Sequence, residues 1–231
     1  MKTIFHRMRR PAAGLFLAAC IMAVGAPAKE AAPANDSTLC ERGMNLLERA
    51  YASLHSLEAH FKHSLVSKTL GQKTEEEGTL YLARGGRMRW DYSSPKGKVA
   101  LSDGRKTYLY LPSENQLYEQ PLPTGPSAPI TFRLLSGEAD LGREFTCGGA
   151  RVEKGEIVMT LDLRHPAAQV KAVTIALDAA SGLIREVRYQ DALENRVTLV
   201  FSDIRTGKAL PKGIFQFKAP PGVRTFRNPR S

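Results

Sequence analysis

The chain has 231 residues, with 33 Lys and Arg against 23 Asp and Glu, so its formal net charge at pH 7 is +10. Four of the basic residues stand within the first ten positions, and without them 29 Lys and Arg remain, a formal net charge of +6. No run of clustered basic residues with interleaved aromatics occurs, which argues against a nucleic-acid partner and leaves only a weak attraction to anionic surfaces.

The N-terminus has the pattern of an export signal. A basic start is followed by an apolar stretch from Ala12 to Val24 and by the A-x-A cleavage site Ala26-Pro27-Ala28. The apolar stretch is too short to span a bilayer. We therefore expect residues 1–28 to be a signal peptide, cleaved after Ala28 to leave a periplasmic protein with one domain, residues 29–231.

A second interpretation of the same segment is a lipobox. Leu17-Ala18-Ala19-Cys20 resembles the motif in which the cysteine is lipidated and holds the protein at a membrane. Apolar residues continue past Cys20 as far as Val24, where a lipidated protein is expected to turn polar. This favours the cleaved signal.

The first element of the mature chain is predicted to be a helix. Thr38-x-x-Glu41 has the form of a capping box, and leucine and alanine side chains at helical spacing continue to about Ser56. The pattern then changes to alternation of apolar and polar side chains, as in Met88, Trp90 and Tyr92, which indicates strands.

About eleven strands in sequence order predict an antiparallel meander. The candidate segments, at most twelve, are 58–65, 78–84, 87–92, 98–101, 107–111, 116–119, 144–147, 157–163, 172–177, 183–189, 197–204 and 214–217. Between 121 and 142 four prolines interrupt the pattern, and apolar residues from Ile130 to Leu135 are closer to helical spacing, so short helices and a mobile loop are expected there. From Arg224 onward the sequence predicts a loose basic tail.

Two cysteines, Cys40 and Cys147, follow the signal segment. A pair of cysteines in an exported chain usually forms a disulfide, and we expect one here; two separate buried thiols are the alternative. The wide spacing and the lack of further cysteines do not suggest a zinc site.

No constellation of catalytic residues is visible. The nucleophile, zinc-protease and phosphate-loop motifs are absent from the sequence. His60 and His63 fall on opposite faces of their strand by its period of two, so they are poor joint ligands, and Asp103 before Gly104 is explained by a hairpin turn. We expect no enzymatic activity, no cofactor and no metal.

Four stretches, in this order, carry the most specific signal in the chain. They are Ser56-Leu57-x-Ala59-x-Phe61; Gly78-Thr79-Leu80-Tyr81-Leu82-x-Arg84, which leads into Arg89-Trp90-x-Tyr92; Leu101-Ser102-Asp103-Gly104-x-Lys106-Thr107, followed by Tyr108 and Tyr110; and Phe215-x-Phe217-x-x-Pro220-Pro221-Gly222-Val223. Together they span most of the mature chain and are similar to the LolA family of outer-membrane lipoprotein carriers.

This resemblance implies a mainly β (α+β) fold. The expected architecture is an incomplete, strongly curved antiparallel β-barrel of about eleven strands, in which the N-terminal helix and short lid helices cover an apolar cavity. The cavity would hold the acyl chains of a lipoprotein. Its implied lining residues are Phe61, Tyr81, Met88, Trp90, Ile130, Phe132, Leu134 and Leu135.

The resemblance also implies a latch and partners. Arg84 matches the arginine of the family's Lys-Arg-Pro segment, which bonds the lid backbone and holds the empty cavity shut; here Ala83 and Gly85 replace the Lys and the Pro. A monomer would receive lipoproteins from an inner-membrane LolCDE-type ABC transporter and deliver them to an outer-membrane LolB-type acceptor.

Three alternatives stay open. The protein could carry another lipid, since related folds occur in other lipid pathways. It could be a LolB-like acceptor anchored through Cys20. It could also be a regulatory sensor that resembles the family, although such sensors have an additional domain for which residues 29–231 leave little room.

Overall fold

The computed structural model describes residues 36–125, 128–137, 140–164, 170 and 172–227. The expected signal peptide and Cys20 lie outside these residues, and their assignment stays a prediction. No helix within the described ranges is long and apolar enough to cross a membrane.

Three α-helices and twelve strands make up the described chain. The helices are α1 (Asp36–Ala52), α2 (Ile130–Ser136) and α3 (Leu141–Glu144), with a 3₁₀ turn at Pro112–Glu114. The strands are β1 (Ser56–Val66), β2 (Lys73–Ala83), β3 (Arg87–Ser94), β4 (Val99–Asp103), β5 (Lys106–Leu111), β6 (Gln116–Pro121), β7 (Phe145–Glu153), β8 (Glu156–Leu163), β9 (Ala172–Asp178), β10 (Ile184–Gln190), β11 (Arg196–Thr206) and β12 (Arg224–Arg227).

All twelve strands form one sheet in the order β12-β6-β5-β4-β3-β2-β1-β11-β10-β9-β8-β7. Neighbouring strands are antiparallel, except that β12 pairs with β6 in parallel. The two edge strands, β12 and β7, do not pair with each other, so the barrel is not closed. The predicted fold, an unclosed, curved antiparallel sheet with an N-terminal helix and short helices between β6 and β7, is confirmed, with twelve strands rather than about eleven.

One face of the sheet forms the core because side chains alternate along each strand. Cross-strand partners share a face, so Phe61 of β1 lies on the same side as Phe201 of β11, and Met159 of β8 on the same side as Ile175 of β9. Phe61, Met159 and Ile175 are fully buried. We call this the concave face and the opposite one the convex face.

Helix α1 covers the β7–β8 end of the concave face. Its buried positions recur every four residues at Leu39, Gly43, Leu47 and Tyr51, which is the stripe of an amphipathic helix. Gly43 lies where a Cβ atom would collide with the Met159 side chain, so the absence of a side chain sets the close approach of α1 to β8. The helix begins two residues before the predicted Thr38 and ends at Ala52.

The segment 214–217 is not a strand, and this prediction is wrong. Residues Ile214 and Phe215 form a turn, and Gly213 adopts a positive φ of 71° that breaks the extended backbone. The segment instead lies on the convex face, where Arg89 Nη1 donates to Ile214 O at 2.9 Å and the Phe217 ring lies 5.6 Å from that of Tyr110. Its apolar alternation therefore reflects packing onto the outside of the sheet.

The expected loose tail is also wrong in part, since residues Arg224–Arg227 form β12. Arg224 pairs with Gln116 and Arg227 with Glu119 along β6. The Phe226 ring stacks on Tyr118 with the ring centroids 5.2 Å apart. The four residues are held by a partner strand about a hundred positions earlier, which local sequence does not reveal.

Cys40 of α1 and Cys147 of β7 form a disulfide, with Cα atoms 5.9 Å apart and a sequence separation of 107. A second contact supports the same junction, because Asp36 Oδ1 at the start of α1 accepts a hydrogen bond from Ala150 N of β7 at 2.5 Å. Both contacts fix α1 to an edge strand that has a neighbour on only one side.

Removing this disulfide is expected to destabilise the protein. Because the bond closes a loop of more than a hundred residues, the variant Cys40→Ser/Cys147→Ser should lose roughly 2–5 kcal/mol of unfolding free energy. Chemical denaturation of the oxidised protein and of the variant measures the difference. Two thiols that react in the denatured, unreduced protein would show that the bond does not form.

Candidate functional site

An apolar cavity lies on the concave face beneath α2 and has a volume of about 400 Å³. Leu109 of β5 and Tyr189 of β10 both line it, although five strands separate β5 from β10 in the sheet. In a flat sheet with strands about 4.8 Å apart, β5 and β10 would be roughly 29 Å apart, so the sheet must curve around the cavity. The other apolar lining residues include Met88, Trp90, Tyr92, Ala100, Leu122, Pro129, Phe132 and Leu199.

Aromatic side chains form the floor of the cavity. The Phe61 ring meets Trp90 edge-on with centroids 4.8 Å apart, and it meets Tyr92 in the same way at 5.1 Å. Trp90 in turn lies 6.1 Å from Phe201. Edge-to-face contacts of this kind hold the rings in defined orientations. The floor is therefore an apolar surface of packed aromatic rings.

Helix α2 forms the roof of the cavity. Pro129 precedes its first turn, and Gly137, with a φ of 71°, ends it in the left-handed conformation that favours glycine. Ile130, Leu134 and Leu135 are buried in the core, whereas Thr131 and Phe132 line the cavity. The short helix therefore packs on the core through its buried apolar side chains, and its Phe132 side chain faces the cavity.

The structure places the predicted lining residues in three groups. Met88, Trp90 and Phe132 line the cavity, and Phe61 lies directly beneath it. Ile130, Leu134 and Leu135 pack under α2 in the core. Tyr81 is a correction: it pairs with Glu58 and Arg89 on the convex face, because a strand's period of two puts it opposite Leu80 and Leu82.

A buried ion pair joins α2 to the start of β7. The Arg133 side chain is only 8% exposed, and its guanidinium group contacts the Glu144 carboxylate at the end of α3. The same group lies 5.5 Å from the centre of the Phe145 ring. Arg133 Nε has no hydrogen-bond partner among the described residues. The pair is the charged contact that holds α2 against the sheet, and sequence reasoning missed it because its members stand on different elements.

Arg84 lies at the turn between β2 and β3, where its Nε donates to Leu54 O at 3.2 Å. Leu54 follows α1, whereas the prediction had Arg84 bonding the backbone of the lid segment. Arg84 also lines a small cleft together with Leu135 and Gly137 at the end of α2. The side chain therefore stands between the ends of α1 and α2.

Polar residues at one side of the cavity were not predicted. His63 Nδ1 lies 3.1 Å from Glu76 Oε2, and Lys98 Nζ donates to Glu76 Oε1 at 2.6 Å while lying over the Tyr92 ring. Burial opposes ionisation of Glu76, but hydrogen bonds from Lys98 and His63 hold the pKa of its carboxyl below the ordinary value. The predicted separation of His60 and His63 agrees with the register, since His60 pairs with Ser202 and His63 with Leu199.

The polar groups of the described residues do not resemble a metal centre. No group of three or more His, Cys, Asp or Glu in that part of the chain has an arrangement that could hold a metal ion. The cavity's chemistry is that of an apolar space with a few hydroxyl, amide and imidazole groups at its margin.

Comparison with known proteins gives a consistent family. A protein from Pseudomonas aeruginosa named outer-membrane lipoprotein carrier protein is 29% identical over 209 residues, 90% of this chain and 95% of its own. One of the same name from Methylobacillus flagellatus is 28% identical over 188 residues, 78% of this chain and 87% of its own.

Solved structures support the fold. The crystal structure of an uncharacterized conserved protein from Thermus thermophilus aligns with a TM-score of 0.53 at 12% identity, covering 82% of this chain and 99% of that one. The family model described as outer membrane lipoprotein carrier protein LolA matches residues 52–218. Because that match covers more than half of the chain, this chain belongs to the LolA family.

Proposed function

We propose that this protein is a periplasmic, monomeric carrier that shields the acyl chains of lipoproteins in the cavity beneath α2. The cavity lined by Trp90, Leu109, Phe132 and Leu199 is the single observation that supports this most strongly. In this proposal an inner-membrane LolCDE-type ABC transporter supplies the lipoprotein and an outer-membrane LolB-type acceptor receives it. The carrier performs no catalysis.

The energetics of acyl chains explain why such a cavity is needed. Each methylene group removed from water contributes about 0.8 kcal/mol, so a long chain cannot remain exposed in an aqueous compartment. The cavity of about 400 Å³ is near the lower end of ligand pockets in proteins. More than one long chain therefore requires α2 to move away from the sheet, and in this proposal α2 is the lid.

Filling the cavity is the experiment that tests this function. Ala100 lines the cavity, whereas its neighbour Val99 pairs with Asp91 and Tyr110 on the convex face. Ala100→Phe should displace at least two methylene groups of the ligand and weaken binding of a diacylated lipopeptide more than tenfold. Val99→Phe is the matched control and should bind as the parent does. Equal affinities for all three proteins would exclude this cavity as the acyl-chain site.

A carrier of another lipid is the closest alternative, because an apolar cavity does not by itself distinguish one acyl chain from another. Mass spectrometry of lipid extracted from the purified protein separates the two functions. The mass of the mature N-terminus separates a carrier cleaved after Ala28 from an acceptor lipidated at Cys20, both of which lie outside the described residues.

A further inference from the structure

A second pocket, of about 600 Å³, lies outside the cavity and is lined by basic side chains. It is bounded by the turns that follow β2 and β4 and by the segment 208–216, which crosses the convex face. Arg87, Arg105 and Lys208 all line it and all are exposed. We call these three residues the basic pocket residues.

The positive charge of this pocket is only partly neutralised within the protein. Arg87, Arg105 and Lys208 form no ion pair with any described acidic residue. Asp103 also lines the pocket, but its Oδ1 accepts hydrogen bonds from Arg105 N and Lys106 N, and its Oδ2 accepts one from the Tyr108 hydroxyl. The carboxylate keeps its negative charge, so the four charged lining residues, Arg87, Arg105, Lys208 and Asp103, leave the pocket with a formal net charge of +2.

Arg87 is held in place before any ligand arrives. Its Nε donates to Arg84 O at 3.0 Å, and its guanidinium group lies 5.4 Å from the centre of the Phe215 ring. A guanidinium group fixed in this way loses little conformational entropy when its remaining N–H groups bind an anion, and its planar fork matches two oxygens of a phosphate.

The lining also has an apolar part, beside the polar side chains of Ser56, Asp103 and Gln216. Leu210, Ile214 and Phe215 of the crossing segment face the same space as the three basic side chains. A free phosphate ion would use only the basic groups. A phospholipid headgroup joins an anionic phosphodiester to glycerol and the start of apolar chains, and so fits both parts of the lining.

We propose that this pocket binds the phosphodiester headgroup of an anionic phospholipid at a membrane surface. Binding would bring the carrier to a bilayer without using the acyl-chain cavity, which is lined by a different set of residues. The association should be weak and sensitive to salt, since exposed charges are screened over about 8 Å at physiological ionic strength.

The test is flotation of the whole protein with two kinds of vesicle. One contains phosphatidylcholine alone, and the other contains phosphatidylcholine with about 30 mol% phosphatidylglycerol. Binding is expected only to the anionic vesicles. A basic residue near such a surface contributes about fivefold in affinity, so Arg105→Gln/Lys208→Gln should weaken binding about thirtyfold. Both side chains are exposed and form no ion pair with a described residue, so the fold should survive.

Arg42→Gln/Lys96→Gln is the matched control, because it removes two exposed cations from other parts of the surface, neither of which forms an ion pair with a described residue. It should weaken binding less than threefold. Equal losses of vesicle affinity in the two variants would show that only the net charge of the protein matters, and the pocket would not be the binding site. If glycerol phosphate or an acidic peptide bound the pocket saturably while the protein did not bind the anionic vesicles, the assignment of a membrane ligand would be wrong.

The same variants separate this inference from the proposed function. Arg105→Gln/Lys208→Gln should bind a diacylated lipopeptide in solution as the parent does, because neither residue lines the acyl-chain cavity. Loss of vesicle binding with lipopeptide binding retained supports the pocket. Loss of both would show that the pocket residues support the fold or the cavity, and the inference would fail.

Discussion

Glu144→Gln is expected to destabilise the protein by about 3–5 kcal/mol, because it leaves the buried Arg133 guanidinium group without its counter-charge. Arg133→Met should cost less. It removes the buried charge, places an apolar chain under α2, and leaves a Glu144 side chain that is 24% exposed and still reaches water. The order of the two losses, rather than their size, is the specific expectation. Urea denaturation measures both.

The double variant Arg133→Met/Glu144→Gln should resemble Arg133→Met alone, since no buried charge is left to be unpaired. Arg143→Met is the control: Arg143 is 87% exposed and its ion pair with Asp140 spans 3.9 Å, so its loss should change the free energy of unfolding by about 0.5 kcal/mol or less. A larger loss of unfolding free energy in Arg133→Met than in Glu144→Gln would contradict this account, because the unpaired buried cation would then not be the main cost.

Arg84→Leu is expected to disable transfer of lipoprotein from the carrier to its acceptor while loading survives. Hydrogen bonds to a charged group contribute about 1.5–3 kcal/mol. If Arg84 favours the closed state by that amount, it opposes ligand binding by roughly ten- to a hundredfold, so the variant should hold lipoprotein more tightly. Release should then fail, because the drive to reclose the cavity is lost. Transfer from loaded protein to acceptor, at matched stability, is the measurement.

The structure changes the contact on which this expectation rests, from the lid backbone to the end of α1. Arg84 donates to Leu54 O beyond the end of α1 and lines a cleft with Leu135 of α2, so a latch here would act on the junction of the two helices. Arg42→Leu, which removes an exposed arginine elsewhere on α1, should transfer normally. Equal transfer by Arg84→Leu and the parent would show that Arg84 is an ordinary surface arginine. The absence of the Lys and Pro beside it would then mark a real departure from the family's latch.

The fold was predictable where a segment's own pattern decides its structure. Alternation along β3 placed Met88, Trp90 and Tyr92 on one face, and they line the cavity together. The prediction for Tyr81 failed because it followed a family motif, whereas the period of two places Tyr81 on the face opposite to Leu80 and Leu82. Phe215 and Phe217 show the limit of alternation, since packing onto the outside of a sheet produces the same apolar pattern as a strand.

Long-range contacts could not be predicted from local pattern. The four residues of β12 contain two arginines and an exposed phenylalanine, and only their pairing with β6 makes them a strand. Arg133 and Glu144 have ordinary charged side chains until the turn between α2 and α3 buries them against Phe145. The basic pocket likewise depends on Lys208 returning to the turns near Arg87 and Arg105.

The most direct test of the carrier function uses Trp90, the only tryptophan in the chain and part of the cavity lining. A diacylated lipopeptide with brominated chains should quench Trp90 fluorescence as it binds, because the bromine atoms come into contact with the indole. The unbrominated lipopeptide should bind with the same affinity and cause no such quenching. Binding of the brominated lipopeptide without quenching would place the acyl chains outside this cavity and contradict the central claim.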